Sequence, residues 1–175
     1  MSLLRVDPAG REERPPPAPD DDRRAFRIAA AAVTGLAAVT CLWSIGAKGL
    51  WFDEGFSVGL VRRPFGDFLW RAVHWEVNQS PFYLLLYPWR WLGESEGLLR
   101  LLPALMAIAT APVVLALGRR LFDLRVGVVA AVLTAANGLV VQQAQTVRGY
   151  PLVLLLVSTS TLLLVRAVDA PSLGR

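Results

Sequence analysis

An all-α, polytopic membrane bundle with four spans and two extracytoplasmic interfacial helices is the architecture that charge and hydropathy predict for this chain. Three observations lead there. Apolar residues make up 54% of the sequence and raise its mean hydropathy to +0.46. They gather in four uncharged blocks, Ile28–Ala47, Leu101–Gly118, Val126–Val147 and Gly149–Val165, each near the roughly 17–25 residues that a spanning helix needs. The arginines flank these blocks and form no stripe on a soluble face, as expected of residues that anchor cytoplasmic turns. A buried helix of a soluble core can imitate one such block, but hardly four in 175 residues.

The net charge of +4 and the pI near 10 are therefore read as membrane anchoring, and no nucleic-acid partner is expected. The single cysteine, Cys41, lies in the middle of the first block. It has no partner for a disulfide or a cysteine-rich metal site. His74 is the sole histidine, which excludes a multi-histidine metal site. No nucleophile elbow, phosphate loop or dinucleotide fingerprint is present, and no nucleotide is expected.

From the N-terminus, residues 1–24 carry Pro15-Pro16-Pro17-Ala18-Pro19 and Asp20-Asp21-Asp22 without a hydrophobic pattern. They read as a disordered cytoplasmic tail. Residues 25–175 form the membrane module. Its first block follows Arg23, Arg24 and Arg27 and is too long for a signal-peptide core, so it reads as a retained anchor. Residues 48–100 are expected outside. Within them, Phe65, Phe68, Leu69, Ala72 and Val73 recur at helical spacing with Asp67 and Arg71 opposite, an amphipathic helix over Pro64–Val73 suited to a bilayer surface. The uncharged stretch Val77–Trp89 is too short to span. Its neighbourhood holds Tyr83, Tyr87, Trp89 and Trp91, a belt-like set, so Pro81–Leu92 reads as a second surface helix.

Charge then sets the orientation. With an inside N-terminus, the turn Arg119–Arg125 and Arg166 fall on the cytoplasmic side, in accord with the positive-inside rule. The expected location is the plasma membrane, multi-pass, with the bilayer itself as the first partner. Arg62, Arg63, Arg71, Arg90 and Arg100 remain in the outer loop against the rule.

This topology brings three polar clusters to one side: Asp53-Glu54; His74 to Ser80, with Glu76 and Asn78; and Gln142, Gln143, Gln145, Arg148 and Tyr150. Polar groups at membrane depth are costly and tend to be functional or paired. Each has a plain alternative. Asp53 could cap a short helix beginning at Glu54, with Glu54 favouring its positive end. Glu76 could be a charge on a wet loop, and Arg148 an interfacial residue that snorkels.

The ordered series Trp51-Phe52-Asp53-Glu54, Glu76-x-Asn78, Phe82-Tyr83-Leu84-Leu85-Leu86, Leu92-Gly93-Glu94-Ser95-Glu96, Leu99 to Leu105, Gly118 to Asp123 and Gln145 to Tyr150 resembles the N-terminal part of the GT-C membrane glycosyltransferases. The branch it is most similar to is that of protein O-mannosyltransferases and the lipid A aminoarabinose transferase. The resemblance covers roughly Phe26 to Leu164. It implies transfer of a sugar from a polyprenyl-phosphate donor, with inversion, to an extracytoplasmic acceptor hydroxyl on a glycan, lipid or protein. It implies Asp53 as the catalytic base, with Glu54 beside it. It places Arg148, with Arg62 or Arg63, on the donor phosphate, Glu76 and Asn78 at the acceptor or second acidic position, and Gln145 and Tyr150 on the same outer face. A divalent metal is left open, with Glu76 its candidate ligand. An apolar setting from Trp51 and Phe52 is expected to raise the Asp53 pKa by burial. Relatives carry more spans, so the chain is expected to be the N-terminal portion of such an enzyme, inactive alone if so. The competing reading is a non-catalytic or degenerate membrane protein: a scaffold, a lipid-binding protein or a transporter-like fragment.

Overall fold

The computed structural model describes residues 19–47, 49 and 51–169; the first 18 residues of the expected tail lie outside this range. Helices α1 (Pro19–Leu42), α2 (Phe52–Val61), α3 (Phe65–His74), α4 (Ser80–Trp89), α5 (Glu96–Leu121), α6 (Leu124–Ala136), α7 (Gly138–Ala144) and α8 (Tyr150–Asp169) follow one another. Short 3₁₀ turns precede and follow α4, and there is no strand among the described residues.

α1, α5 and α8 are long and apolar enough to cross a bilayer, and the chain is a multi-pass membrane protein. Their exposed surfaces agree. Val39 on α1 and Val153, Leu156, Val157 and Leu164 on α8 are all exposed, a load of apolar surface that suits lipid rather than water. α1 begins earlier than expected: residues 19–24 are helical, with Asp20, Asp21 and Asp22 in the first turn, where carboxylates favour the positive end of the helix dipole.

The third expected span is not one helix. Its residues divide into α6 and α7, which meet at 57°. It counts as a fourth crossing only if the bent pair is one span. The cause is Asn137. Its backbone leaves the helical region (φ −68°, ψ 119°), and its Oδ1 accepts hydrogen bonds from the N–H groups of Leu139 and Val140 at 2.9 and 3.1 Å. Asn137 thus caps a new helix inside the apolar block.

α5 is the central element and packs against α1, α6, α7 and α8. This core is built on small side chains: Ala37, Ala104, Ala107, Ala111, Ala131, Ala135 and Ala144, with Val33 and Leu115. Small residues let helix backbones approach closely, which drives association where lipid offers no hydrophobic contrast. The closest approach is at the α5–α6 hairpin. A Cβ on Gly118 would stand 2.6 Å from the Gly127 Cα, and one on Gly127 2.6 Å from the Leu115 carbonyl oxygen.

A second core lies at one end of the bundle. α2, α3 and α4 contribute Val58, Val61, Phe68, Phe82, Tyr83 and Leu86, and these meet Leu99 of α5, Val147 of the segment between α7 and α8, and Leu152 of α8. The short helices form a cap that covers the segment between α7 and α8.

Candidate functional site

α2 positions the two carboxylates of the opening motif, and it turns them onto different faces. Neighbours on an α-helix diverge by about 100°. Glu54, Ser57, Val58 and Val61 make its buried face, so Glu54 faces inward while Asp53 remains largely exposed.

Glu54 is 1% exposed and accepts four hydrogen bonds. Arg100 donates two, Nε to Oε1 at 2.9 Å and Nη2 to Oε2 at 2.8 Å. The Trp51 N–H donates to Oε2 and the Val147 N–H to Oε1, each at 3.0 Å. An ionised carboxylate offers about four lone-pair sites, so this one is saturated. Burial raises the Glu54 pKa, but the Arg100 bonds and the two backbone N–H groups outweigh it and hold the carboxyl below its usual value. Arg100 also donates to the carbonyls of Ile45 and Gly49 at 3.2 and 3.0 Å. The pair therefore fastens the α1–α2 connection, the head of α5 and the segment before α8. Glu54 was expected to share in catalysis; with no free lone pair it is instead an anchor. It also performs the capping expected of Asp53, since α2 starts at Phe52 and the Glu54 carboxylate holds the N-cap amide of Trp51.

Asp53 faces Arg148, with Oδ2 3.1 Å from Nη2. The other arm of the guanidinium, Nη1, lies 3.6 Å from Glu76 Oε2. Tyr83 donates its hydroxyl to the same Glu76 oxygen at 3.4 Å, and Ser57 Oγ lies 3.3 Å from the Tyr83 hydroxyl. Burial, with Glu76 alongside, raises the Tyr83 phenol above its ordinary value, against a lowering by Ser57. Burial lowers the Arg148 pKa, but the Tyr83, Asp53 and Glu76 oxygens outweigh it and the net direction is up.

Arg148 is held by its backbone neighbours. The Val147 N–H goes to Glu54 and the Gly149 N–H to Gln79 Oε1 at 2.8 Å. Gln79 is 5% exposed, so both acceptors are buried. Gly149 is required there: a Cβ would stand 2.6 Å from Gln79 Oε1 and 2.8 Å from the Phe82 Cβ. Two buried side chains thus clamp the amides of Val147 and Gly149, the residues on either side of Arg148, and aim its guanidinium at Asp53.

The cluster opens into a cavity of about 530 Å³ whose lining includes Trp51, Asp53, Gln142, Thr146, Arg148 and Tyr150. Gln145 also lines it, but its amide is committed. Nε2 donates to the carbonyls of Cys41 and Trp43 at 3.2 and 2.9 Å, satisfying acceptors that the end of α1 leaves open.

Other expectations are corrected. Arg62 pairs with Glu94 and Arg63 with Asp67, at 3.0 and 2.8 Å, and neither lines the cavity. Asn78 is exposed and also lies outside the lining. Trp51 and Phe52 are exposed, so they do not bury Asp53 as expected. Glu76 faces a guanidinium and a phenol, and no group of three or more His, Cys, Asp or Glu assembles among the described residues. Arg148 stands between the two carboxylates where a divalent ion would need to stand, so the donor set does not fit a metal.

Arg100, Gln79 and Tyr83 carry no site role in the sequence reading. Arg100 left a signal, as an arginine at the head of an apolar block on the side where the positive-inside rule does not ask for one. In comparisons with protein-family models, curated proteins and solved structures, nothing matches this chain.

Proposed function

We propose that this chain is an integral membrane glycosyltransferase, or the N-terminal portion of one, that moves a sugar from a polyprenyl-phosphate donor to an acceptor hydroxyl. The observation that carries the reading is an exposed carboxylate, Asp53, set 3.1 Å from a clamped guanidinium, Arg148, at the mouth of a polar cavity. The chemistry needs those two groups side by side. As the acceptor oxygen bonds to the anomeric carbon, the bond from that carbon to the phosphate oxygen breaks. Asp53 takes the hydroxyl proton, the role of a positioned general base. Arg148 meets the phosphate charge as it leaves, and a planar guanidinium suits phosphate oxygens. Gln142, Gln143, Thr146 and Tyr150 line the same cavity, and the exposed Trp51 indole offers a flat surface for a sugar ring.

In this reading the Asp53 face is extracytoplasmic, in the plasma membrane. Phe65, Leu69, Trp70 and Val73 on α3 and Leu84 and Leu85 on α4 are exposed apolar residues that would rest in the outer bilayer surface. The acceptor would be a glycan, lipid or protein hydroxyl. In a membrane preparation of the full-length protein, Asp53→Asn should lower sugar transfer from polyprenyl-phosphate donors by about 10²-fold or more with insertion unchanged. Normal transfer by that variant removes the assignment. Arg148 also ties Asp53 to Glu76 as a closed ion cluster, which favours a purely structural role as the alternative. Under that reading Asp53→Asn lowers stability, and no polyprenyl-phosphate sugar binds saturably.

A further inference from the structure

The bundle has a second polar cavity at the end away from Asp53. α5 carries Arg100 near one end and Arg119 and Arg120 near the other, about 28 Å apart at 1.5 Å per residue. There a cleft of about 570 Å³ is lined by Phe26 of α1, Arg119 and Arg120 of α5, and Leu162, Arg166 and Asp169 of α8. Three guanidiniums thus face one carboxylate in the lining.

Their pairing leaves capacity for an anion. Arg119 pairs with Asp22 and lies over the Phe26 ring, 4.7 Å from its centroid. Arg120 pairs with Asp169 at 2.9 Å, an ion pair with both side chains nearly half exposed, and such pairs are weak. Arg166 is exposed and makes no ion pair among the described residues. The cleft also continues into an apolar track. Leu105 and Ala109 are exposed on α5 and Ala116 lies partly exposed in the cleft; their helical spacing puts them on one face that leads to the arginines.

We infer that this cleft binds the phosphate headgroup of an anionic phospholipid, with an acyl chain along the Leu105–Ala109–Ala116 face. Guanidinium forks match phosphate oxygens, and basic pockets between membrane helices suit anionic headgroups. Free phosphate shares the headgroup chemistry but leaves the apolar track unused. The inference does not depend on the sugar-transfer reading, because the two cavities share no lining residue.

The test is lipid retention on the full chain in neutral detergent, read by native mass spectrometry. Phosphatidylglycerol and phosphatidylcholine are added in separate arms, and a third arm adds phosphatidylglycerol together with excess inorganic phosphate. Phosphatidylglycerol should be retained and phosphatidylcholine should not. Arg120→Gln with Arg166→Gln should weaken retention by about fivefold for each arginine removed, while Arg62→Gln, at the other end, should leave it unchanged. Asp169→Asn should strengthen it by releasing Arg120, which guards against a double variant that simply folds poorly. Equal retention of phosphatidylcholine, an unchanged double variant, an equal loss with Arg62→Gln, or full competition by inorganic phosphate would each overturn the inference.

Discussion

Removing one member of the Glu54–Arg100 pair should be among the most damaging single changes in this chain. Glu54 is 1% exposed and the Arg100 side chain 2%, and two charge-assisted bonds of 2.8 and 2.9 Å join them. Glu54→Leu takes from the buried guanidinium its two charge-assisted bonds and leaves the half-exposed Glu96, 4.0 Å away, as a distant counter-ion, at a cost of about 3–5 kcal/mol. Arg100→Leu leaves a buried carboxylate and should cost the same order. Replacing both by leucine removes the uncompensated charge, and apolar replacement of a whole buried pair is often neutral. Here the recovery should be incomplete. The Trp51 and Val147 amides and the Ile45 and Gly49 carbonyls all lose side-chain partners, each worth about 1 kcal/mol. Reversible unfolding in mixed micelles measures the three variants. The double variant should lie well below the sum of the singles and above zero. Singles costing less than about 1 kcal/mol, as exposed pairs do, or an additive double variant, would refute this account. The pH dependence has a fixed sign. The folded pKa of Glu54 is depressed, so its contribution is present above the unfolded value near 4.3 and is lost as pH falls through the lower folded value. Wild type should therefore lose stability below about pH 4, and Glu54→Leu should lose less there.

Three further outcomes are expected. Asn137→Ala removes the acceptor for the Leu139 and Val140 amides and should cost about 1 kcal/mol, seen as a lower unfolding midpoint with faster amide exchange in α7. Gly127→Leu drives a side chain into the Leu115 carbonyl and the Gly118 backbone and should separate α5 from α6. The cost should be at least the roughly 1–3 kcal/mol of overpacking, while Gly59→Leu, with open space around it, should cost little. Cysteines placed at Phe52 and Phe122, both strongly exposed, should react with an impermeant thiol reagent from opposite sides of the bilayer, with Cys41 silent because it is buried.

Hydropathy located α1, α5 and α8 because a spanning helix writes itself as an uncharged run. It was blind to the break in the third block for the same reason: Asn137 and Gly138 carry no charge. The signal was the Asn-Gly dipeptide, a turn and cap signature, set inside an apolar run where it is easily passed over. Proximity in sequence also misled. Asp53 and Glu54 are adjacent in sequence, but the helix separates them. The phase of α2 is visible in Glu54, Ser57, Val58 and Val61 at i, i+3, i+4 and i+7, a row in which a carboxylate joins a buried face. Arg62 and Arg63 lie near the motif in sequence, yet their partners Glu94 and Asp67 hold them elsewhere. The resemblance already implies Arg148 in the site of Asp53; what the folded chain adds is the direct contact of 3.1 Å between the two, almost a hundred residues apart.

The break in the third block and the saturation of Glu54 have one cause. Within a bilayer, irregular backbone persists only where protein groups satisfy its amides and carbonyls. Bending the chain at Asn137 frees the Ala135 carbonyl, and Thr40 Oγ1 of α1 donates to it at 2.9 Å. The segment between α7 and α8 presents the Val147 and Gly149 amides, and Glu54 and Gln79 accept them. The buried acceptors of the cap therefore support non-helical backbone, and the residue they leave projecting is Arg148. This divides the two carboxylates of the motif by role, one holding the segment and the other facing the cation that the segment carries. Glu54→Gln and Asp53→Asn should then separate experimentally: the first lowers stability and loosens Arg148, and the second leaves the fold in place and removes the exposed carboxylate.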